Sequence, residues 1–261
     1  MTEKWKTAIT DIAPNRINLR GYPIAELMGR RSFAEVVWLA LRGELPAEAE
    51  GKLLDAILVS SVDHGVTPPS TLAARTAAST GAPVNAALAA GVLSVNRFHG
   101  GAVEGCMTAL AEAASYMKEK GVSREEAAAA VVERYRDAGR RVLGYGHRVH
   151  DDDPRAARLF ALAEELGLAR EGVPMARAFA AALATVTGRA LPLNVDGAIA
   201  ACLYELGFDA ARANAFFIMA RMPGWLAHVV EEATRERPMR RIEPSAWEYD
   251  GPAPRHPAEV K

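Results

Sequence analysis

Three of the chain's six histidines, His64, His99 and His147, each stand beside a glycine at the end of an apolar stretch. Side chains placed there can converge on a ligand, because they are not committed to a packed helix face. One carboxylate, Asp196 in Asn194–Val195–Asp196–Gly197, lies in an apolar setting, and arginines are plentiful. These residue types suit proton transfer at a carbon next to a thioester carbonyl. That chemistry needs a carboxylate whose pKa is lifted by apolar surroundings, imidazoles that hydrogen-bond the developing enolate oxygen, and guanidinium groups that grip substrate carboxylates in a bidentate fork. The densest stretch is Val142–Leu143–Gly144–Tyr145–Gly146–His147–Arg148–Val149, followed by Asp153–Pro154–Arg155. Its glycines let backbone approach a ligand, and Pro154 marks a helix start. Arg140 and Arg141 are expected in the last turn of a helix that stops at Gly144, leaving a short basic loop for an anion. Plainer readings stand beside these: the loop is equally readable as a helix C-cap with an incidental histidine, and Asp196 as the N-cap of the helix that follows it. His228, inside a helix, reads as an ordinary structural residue, and His150 and His256 fall in acidic or proline-rich loop sequence.

Other site chemistries find no pattern. No histidines stand at i, i+4 and no cysteine accompanies one, so no metal is expected. A Gly-x-Ser-x-Gly elbow, a P-loop and a dinucleotide fingerprint are missing as well. Lys plus Arg number 31 against 32 Asp plus Glu, so no overall field favours nucleic acid or an anionic membrane, and anion recognition must be local. Cys106 and Cys202 lie far apart in apolar contexts and read as reduced core residues. The opening Met-Thr-Glu-Lys-Trp-Lys lacks the apolar run of a signal peptide, and each apolar window is too interrupted to span a bilayer. A soluble, cytoplasmic protein is the expectation.

The elements that must position these groups are nearly all helical. Half of the 261 residues are hydrophobic, alanine is abundant and aromatics make up 7%, a balance that favours closely packed helices. Residues 5–22 alternate around Ala13–Pro14–Asn15–Arg16 and predict a small hairpin. Helices are predicted from about Ile24, from Ser32 to Gly43, from Pro46 to Asp63, and from Pro69 through Ala78. Residues 82–95 are so uniformly apolar that they predict a buried helix. Further helices are expected near 103–119, 123–141, 154–166, 174–186 and 197–206, then a long one from Phe208 through a bend at Pro223–Gly224 to Glu232. The proline- and charge-rich tail from Arg237 is too irregular for a core element.

From about Thr7 to Pro252 the ordered set of motifs resembles the citrate synthase superfamily. The matching pieces are Arg20–Gly21–Tyr22–Pro23–Ile24, Gly43–Glu44–Leu45–Pro46, Asp63–His64–Gly65 and His99–Gly100–Gly101–Ala102, then the Gly144–Val149 stretch with Asp153–Pro154–Arg155, and finally Asn194–Val195–Asp196. The resemblance implies an all-α, two-domain fold and a homodimer. The large domain would comprise residues 1–102 and 208–261, and the small domain, residues 103–207, would close over substrate. By the same resemblance His99 holds the thioester oxygen, Asp196 exchanges the proton at the acetyl carbon, and His147 faces the oxaloacetate carbonyl or citryl hydroxyl. His64, Arg155 and Arg221 bind carboxylates. A further arginine, Arg241 or its neighbour Arg240, reaches the partner's site, and the loop of Gly144, Tyr145, Gly146 and Arg148 receives the adenine end of coenzyme A.

Two departures refine this. Fewer than twenty residues separate Pro46 from His64, where long synthases insert a helical region. That compact layout looks like citryl-CoA lyase and the lyase module of ATP-citrate lyase, whose likeness extends to Arg221–Met222–Pro223–Gly224 with His228. The ATP-citrate lyase module lacks a histidine at position 99, which this chain keeps. The loop His150–Asp151–Asp152–Asp153 is acidic where synthases often carry a cation for coenzyme A phosphates. The resemblance thus implies cleavage of citryl-CoA to acetyl-CoA and oxaloacetate, with the thioester as substrate and no tightly bound cofactor. A short citrate or 2-methylcitrate synthase is the alternative, and a non-catalytic subunit that binds coenzyme A esters is a second.

Overall fold

The computed structural model describes residues 4–146, 153–251 and 253. A small antiparallel sheet opens the chain, with β1 (Thr10–Ala13), β2 (Arg16–Leu19) and β3 (Tyr22–Pro23) in sequence order. The expected hairpin gains its third strand because Arg20 and Gly21 both take positive φ and turn the chain back, pairing Leu19 with Tyr22. After the one-turn helix α1 (Ile24–Leu27), Ser32 and Glu35 form a capping box that starts α2 (Phe33–Arg42). The Arg20 guanidinium fastens the sheet to α2 by donating to the Ala40 carbonyl oxygen from Nε and Nη2 at 3.1 and 2.8 Å.

The remaining helices are α3 (Glu48–Ser60), α4 (Pro69–Ser79), α5 (Val84–Leu93), α6 (Ala102–Lys120), α7 (Arg124–Asp137), α8 (Pro154–Glu165), α9 (Gly172–Thr187), α10 (Val195–Glu205) and α11 (Ala210–Arg235), before a short 3-10 turn at Pro244–Ala246. The main core lies among α6, α7, α9 and α10, with α3 and α8 packed onto it. Alanines such as Ala109, Ala113, Ala127 and Ala200 are fully buried there, so helix axes can approach closely while Met107, Leu110, Phe179 and Leu203 fill the space between. Burying each large apolar side chain stabilises the fold by about 1.5–3 kcal/mol. A smaller cluster of Ala74, Ala78, Ala87 and Val229 joins α4, α5 and α11.

Two helices differ from expectation. Helix α7 ends at Asp137, so Arg140 and Arg141 belong to the connecting segment rather than to its last turn. Gly139, at φ 63, stops the helix: its N–H donates to the Arg136 carbonyl and that of Arg140 to the Tyr135 carbonyl, the Schellman pattern. Helix α5 is not buried within the subunit. Only Ala87 and Gly91 are, whereas Val84 is exposed and Leu93 is 78% exposed, because α4 and α11 cover one side of it. Helix α11 runs unbroken through Pro223. Next to that proline, a Cβ on Gly224 would collide with the Val62 carbonyl oxygen, so glycine is what lets α11 touch the segment between α3 and α4.

Candidate active site

The segment after α3 places His64. Asp63 Oδ2 accepts the Gly65 N–H at 2.9 Å, closing a tight turn, and Asp63 Oδ1 accepts from His228 Nε2 at 3.0 Å. Burial would raise the Asp63 carboxyl, but the Gly65 and His64 amides and His228 outweigh it and hold it below its ordinary 3.8. Arg75 Nη1 lies 3.3 Å from His228 Nδ1; because a guanidinium only donates, His228 carries its hydrogen on Nε2, toward Asp63. His228 is thus structural, as its sequence context predicts.

His99 is set by a turn before α6, in which the Asn96 N–H donates to the His99 carbonyl at 2.8 Å and the His99 N–H to the Asn96 carbonyl at 2.9 Å. Its Nε2 lies 2.7 Å from Ser70 Oγ, at the buried start of α4, and Trp225 Nε1 donates to the same oxygen at 3.1 Å. With the indole as donor, the Ser70 hydrogen has His99 Nε2 as its acceptor, which places the imidazole hydrogen on Nδ1. Burial, then Arg221 and His64 nearby, lowers the His99 pKa from its ordinary 6.5, so the ring is neutral at pH 7.

Asp196 is positioned by a close approach of two glycines. A Cβ on Gly144 would stand 2.7 Å from Gly197 Cα, and one on Gly197 would collide with the Gly144 carbonyl oxygen. The Tyr145 loop therefore lies directly on the start of α10. The N-cap of α10 is Asn194, which accepts the Gly197 N–H at 3.1 Å, so the capping alternative for Asp196 does not hold and its half-buried side chain faces the cleft. The same close approach consumes backbone groups expected to meet coenzyme A. The Gly144 carbonyl accepts from Asn194 N, Gly146 N donates to the Pro192 carbonyl, and the Gly146 carbonyl accepts from Asn194 Nδ2. Tyr145 sends its hydroxyl to the Ala176 carbonyl at 2.8 Å, and Cys106 lies beneath Gly144. Burial pushes the Cys106 thiol up to about 12, with Asp196 adding to the effect.

Arg155 is held by Asp153, a residue that sequence alone placed in an acidic loop. Asp153 is buried, caps α8, and takes the Arg155 guanidinium in a fork from Nε at 3.0 Å and Nη2 at 2.8 Å. Its Oδ2 also accepts the Val195 N–H at 3.1 Å, tying α8 to α10 one residue before Asp196. Burial opposes the charge, but these donors hold the Asp153 carboxyl below 3.8. Among the described residues Arg155 Nη1 has no hydrogen-bond partner. Arg221 is buried in α11, donates from Nε to the Ser61 carbonyl at 2.6 Å and lies 4.9 Å from the Phe217 ring.

His64, His99, Asp196, Arg155 and Arg221 line one cleft of about 1040 Å³. Its walls come from α4 and α11 on one side and from α7, α9 and α10 on the other. Toward α7 it is edged by Arg136, Arg140, Arg141 and Arg189. Arg140 stacks over Tyr135 and Arg136 pairs with Asp137, whereas the Arg141 and Arg189 side chains have no ion pair among the described residues. His147 and Arg148 lie outside the described residues, as do His150 and His256. Arg241 is not brought to this cleft: its side chain is 75% exposed on the tail, while Arg240 is committed to Glu232. Among the described residues no group of His, Cys, Asp and Glu could hold a metal ion, and no helix is long and apolar enough to cross a membrane.

The class thus defined is a helical protein with a large cleft that gathers imidazoles, a carboxylate and guanidinium groups, with a cationic rim. Residues 48–243 match the family model for the C-terminal domain of citrate synthase, and the chain belongs to that family. The structure of citryl-CoA lyase from Hydrogenobacter thermophilus is 41% identical, covers 97% of each chain and superposes with a TM-score of 0.88. A Mycobacterium tuberculosis protein provisionally named citrate synthase 2 is 37% identical over 79% of this chain and 53% of its own length. The 2-methylcitrate synthase of the same species is 30% identical over 74% of this chain and 47% of its own. The chain therefore spans about half the length of these curated relatives.

Proposed function

We propose that the protein cleaves citryl-CoA to acetyl-CoA and oxaloacetate. One observation carries the reading: His64, His99, Asp196, Arg155 and Arg221, scattered over the sequence, line a single cleft with a cationic rim. The likeness of the whole chain to a citryl-CoA lyase structure supports the direction. Arg155, Arg221 and His64 grip the carboxylates. His147 takes the citryl hydroxyl proton, the bond between the carbinol carbon and the adjacent methylene breaks, and the electron pair passes into the thioester as an enolate. Neutral His99 donates from Nδ1 to that oxygen, and protonated Asp196 returns a proton to carbon, giving acetyl-CoA. Arg141 and Arg189 meet the phosphates at the rim, a source of charge that the acidic sequence after His147 does not supply.

The molecule works as a homodimer in this reading. Leu93, Phe98 and Val84 are exposed apolar residues in and after α5, and Ile242 and Trp247 are exposed on the tail that carries Arg241. Covering these with a second copy would also bring Arg241 to the partner's cleft, and residues 103–207 would close on the rest as a small domain. Asp196→Ala should lower kcat on citryl-CoA at least a hundredfold with the thermal transition unchanged. Near-normal turnover would remove Asp196 from the mechanism. Citrate accumulating from acetyl-CoA and oxaloacetate would establish the synthase instead, a direction that shares the same transition state. Binding of acetyl-CoA without turnover of either substrate would point to a non-catalytic subunit.

A further inference from the structure

Outside the cleft, among the described residues, an ionic network is buried around Glu232. Glu232, on α11, has a side chain with 0% exposure and takes three charged donors: Arg75 Nε at 2.7 Å on Oε2, Arg240 Nη2 at 2.7 Å on Oε2, and Arg240 Nε at 2.9 Å on Oε1. The tail is pinned at the same point. The Met239 N–H donates to the Ser79 carbonyl at 2.8 Å, with Met239 itself at φ 64, and the Arg240 N–H donates to Ser79 Oγ at 3.1 Å. Arg240 therefore points inward. Arg241, the next residue, points outward and reaches its own chain's Glu243 only at 4.0 Å. Arg75 continues inward to His228 and Asp63, the neighbour of His64 in the cleft. Burying such groups seldom adds net stability, because desolvation offsets the attraction; what it supplies is a unique geometry.

We infer that Glu232 is a positioning residue: by clamping Arg240 it fixes the direction in which Arg241 leaves the subunit toward its partner's cleft, and through Arg75 it ties that tail to the strut behind His64. The inference rests on the proposed role of Arg241 across the dimer. Glu232→Gln keeps the shape and removes the charge, and Arg240→Ala leaves Glu232 paired with Arg75, so at least one of the two variants should fold. Each is expected to raise KM for citryl-CoA about tenfold with kcat within about threefold, as Arg241→Ala does, while dimer mass by sedimentation stays unchanged. The double variant of Glu232→Gln or Arg240→Ala with Arg241→Ala should be no worse than Arg241→Ala alone. Multiplying defects, or a Glu232→Gln enzyme with unchanged KM, would overturn the clamp; the latter together with a high KM in Arg240→Ala would make Arg240 itself the ligand. At citryl-CoA concentrations well below KM, an equal mixture of Asp196→Ala and Arg241→Ala subunits reaches about a quarter of wild-type activity if Arg241 acts across the interface, and stays below the activity of Arg241→Ala alone if it does not.

Discussion

At the scale of single residues, Ser70 is the group that composition and motifs do not reveal and that the site depends on. It lies 29 positions from His99 and 155 from Trp225, so only the folded chain shows that it fixes the imidazole tautomer. Ser70→Ala should lower kcat roughly tenfold, about the 1.4 kcal/mol of one hydrogen bond. Leaving the buried Trp225 N–H without its partner should also cost about 1–3 kcal/mol of stability. The pH profile separates the two effects. Burial, with Arg221 and His64 nearby, keeps His99 neutral to below pH 6.5, so the acid limb of the wild-type profile lies under that value. The Ser70 hydroxyl favours the neutral ring by donating to it, so its loss should move the limb upward. An unmoved limb with unchanged kcat would show that Ser70 does no more than fill space. His64, His99, Asp196 and Arg155, which line the cleft, stood out beforehand because each sits at a glycine or a proline, whereas Arg221 was picked out only by the family resemblance. Asp153 was read only as part of an acidic loop, because a carboxylate in an acidic string carries no sign that it turns inward.

Among elements, the helices marked by caps were the legible ones. Ser32 with Glu35 announces α2 and Pro154 announces α8, through chemistry that acts within a few residues. The end of α7 was misplaced because Gly139 stops it through its backbone conformation, five residues before the more conspicuous Gly144. The α5 error has a different origin: an apolar sequence reports that a surface avoids water, not which molecule covers it. How α10 is aimed could not be read at all, since it depends on Gly144 meeting Gly197. Gly197→Ala should force the Tyr145 loop away, at about 1–3 kcal/mol and roughly 3–10 °C in Tm, and should displace Asp196 enough to lower kcat. A variant with wild-type melting and turnover would show that the loop yields without moving the carboxylate.

For the molecule as a whole, the cleft has two walls, and its groups are shared between them. His64 and Arg221 belong to the wall of α4 and α11, with Ser70 buried behind it, Asp196 and Arg155 to the wall of α8 and α10, and the rim arginines to the α7 end. Distances between the groups that would do the chemistry are therefore set by how these walls meet. Cys106, sealed beneath Gly144 at the foot of the second wall, offers a way to time their separation. A thiol held near 12 and shut away from water is almost inert to alkylating reagents at neutral pH, so modification by iodoacetamide would count the moments when the loop lifts. Saturating oxaloacetate with a thioether analogue of acetyl-CoA should slow that clock several-fold while leaving Cys202, inside α10 and likewise raised to about 12, on its own slower time. Equal rates with and without ligand would mean that the loop and the bound molecule are independent.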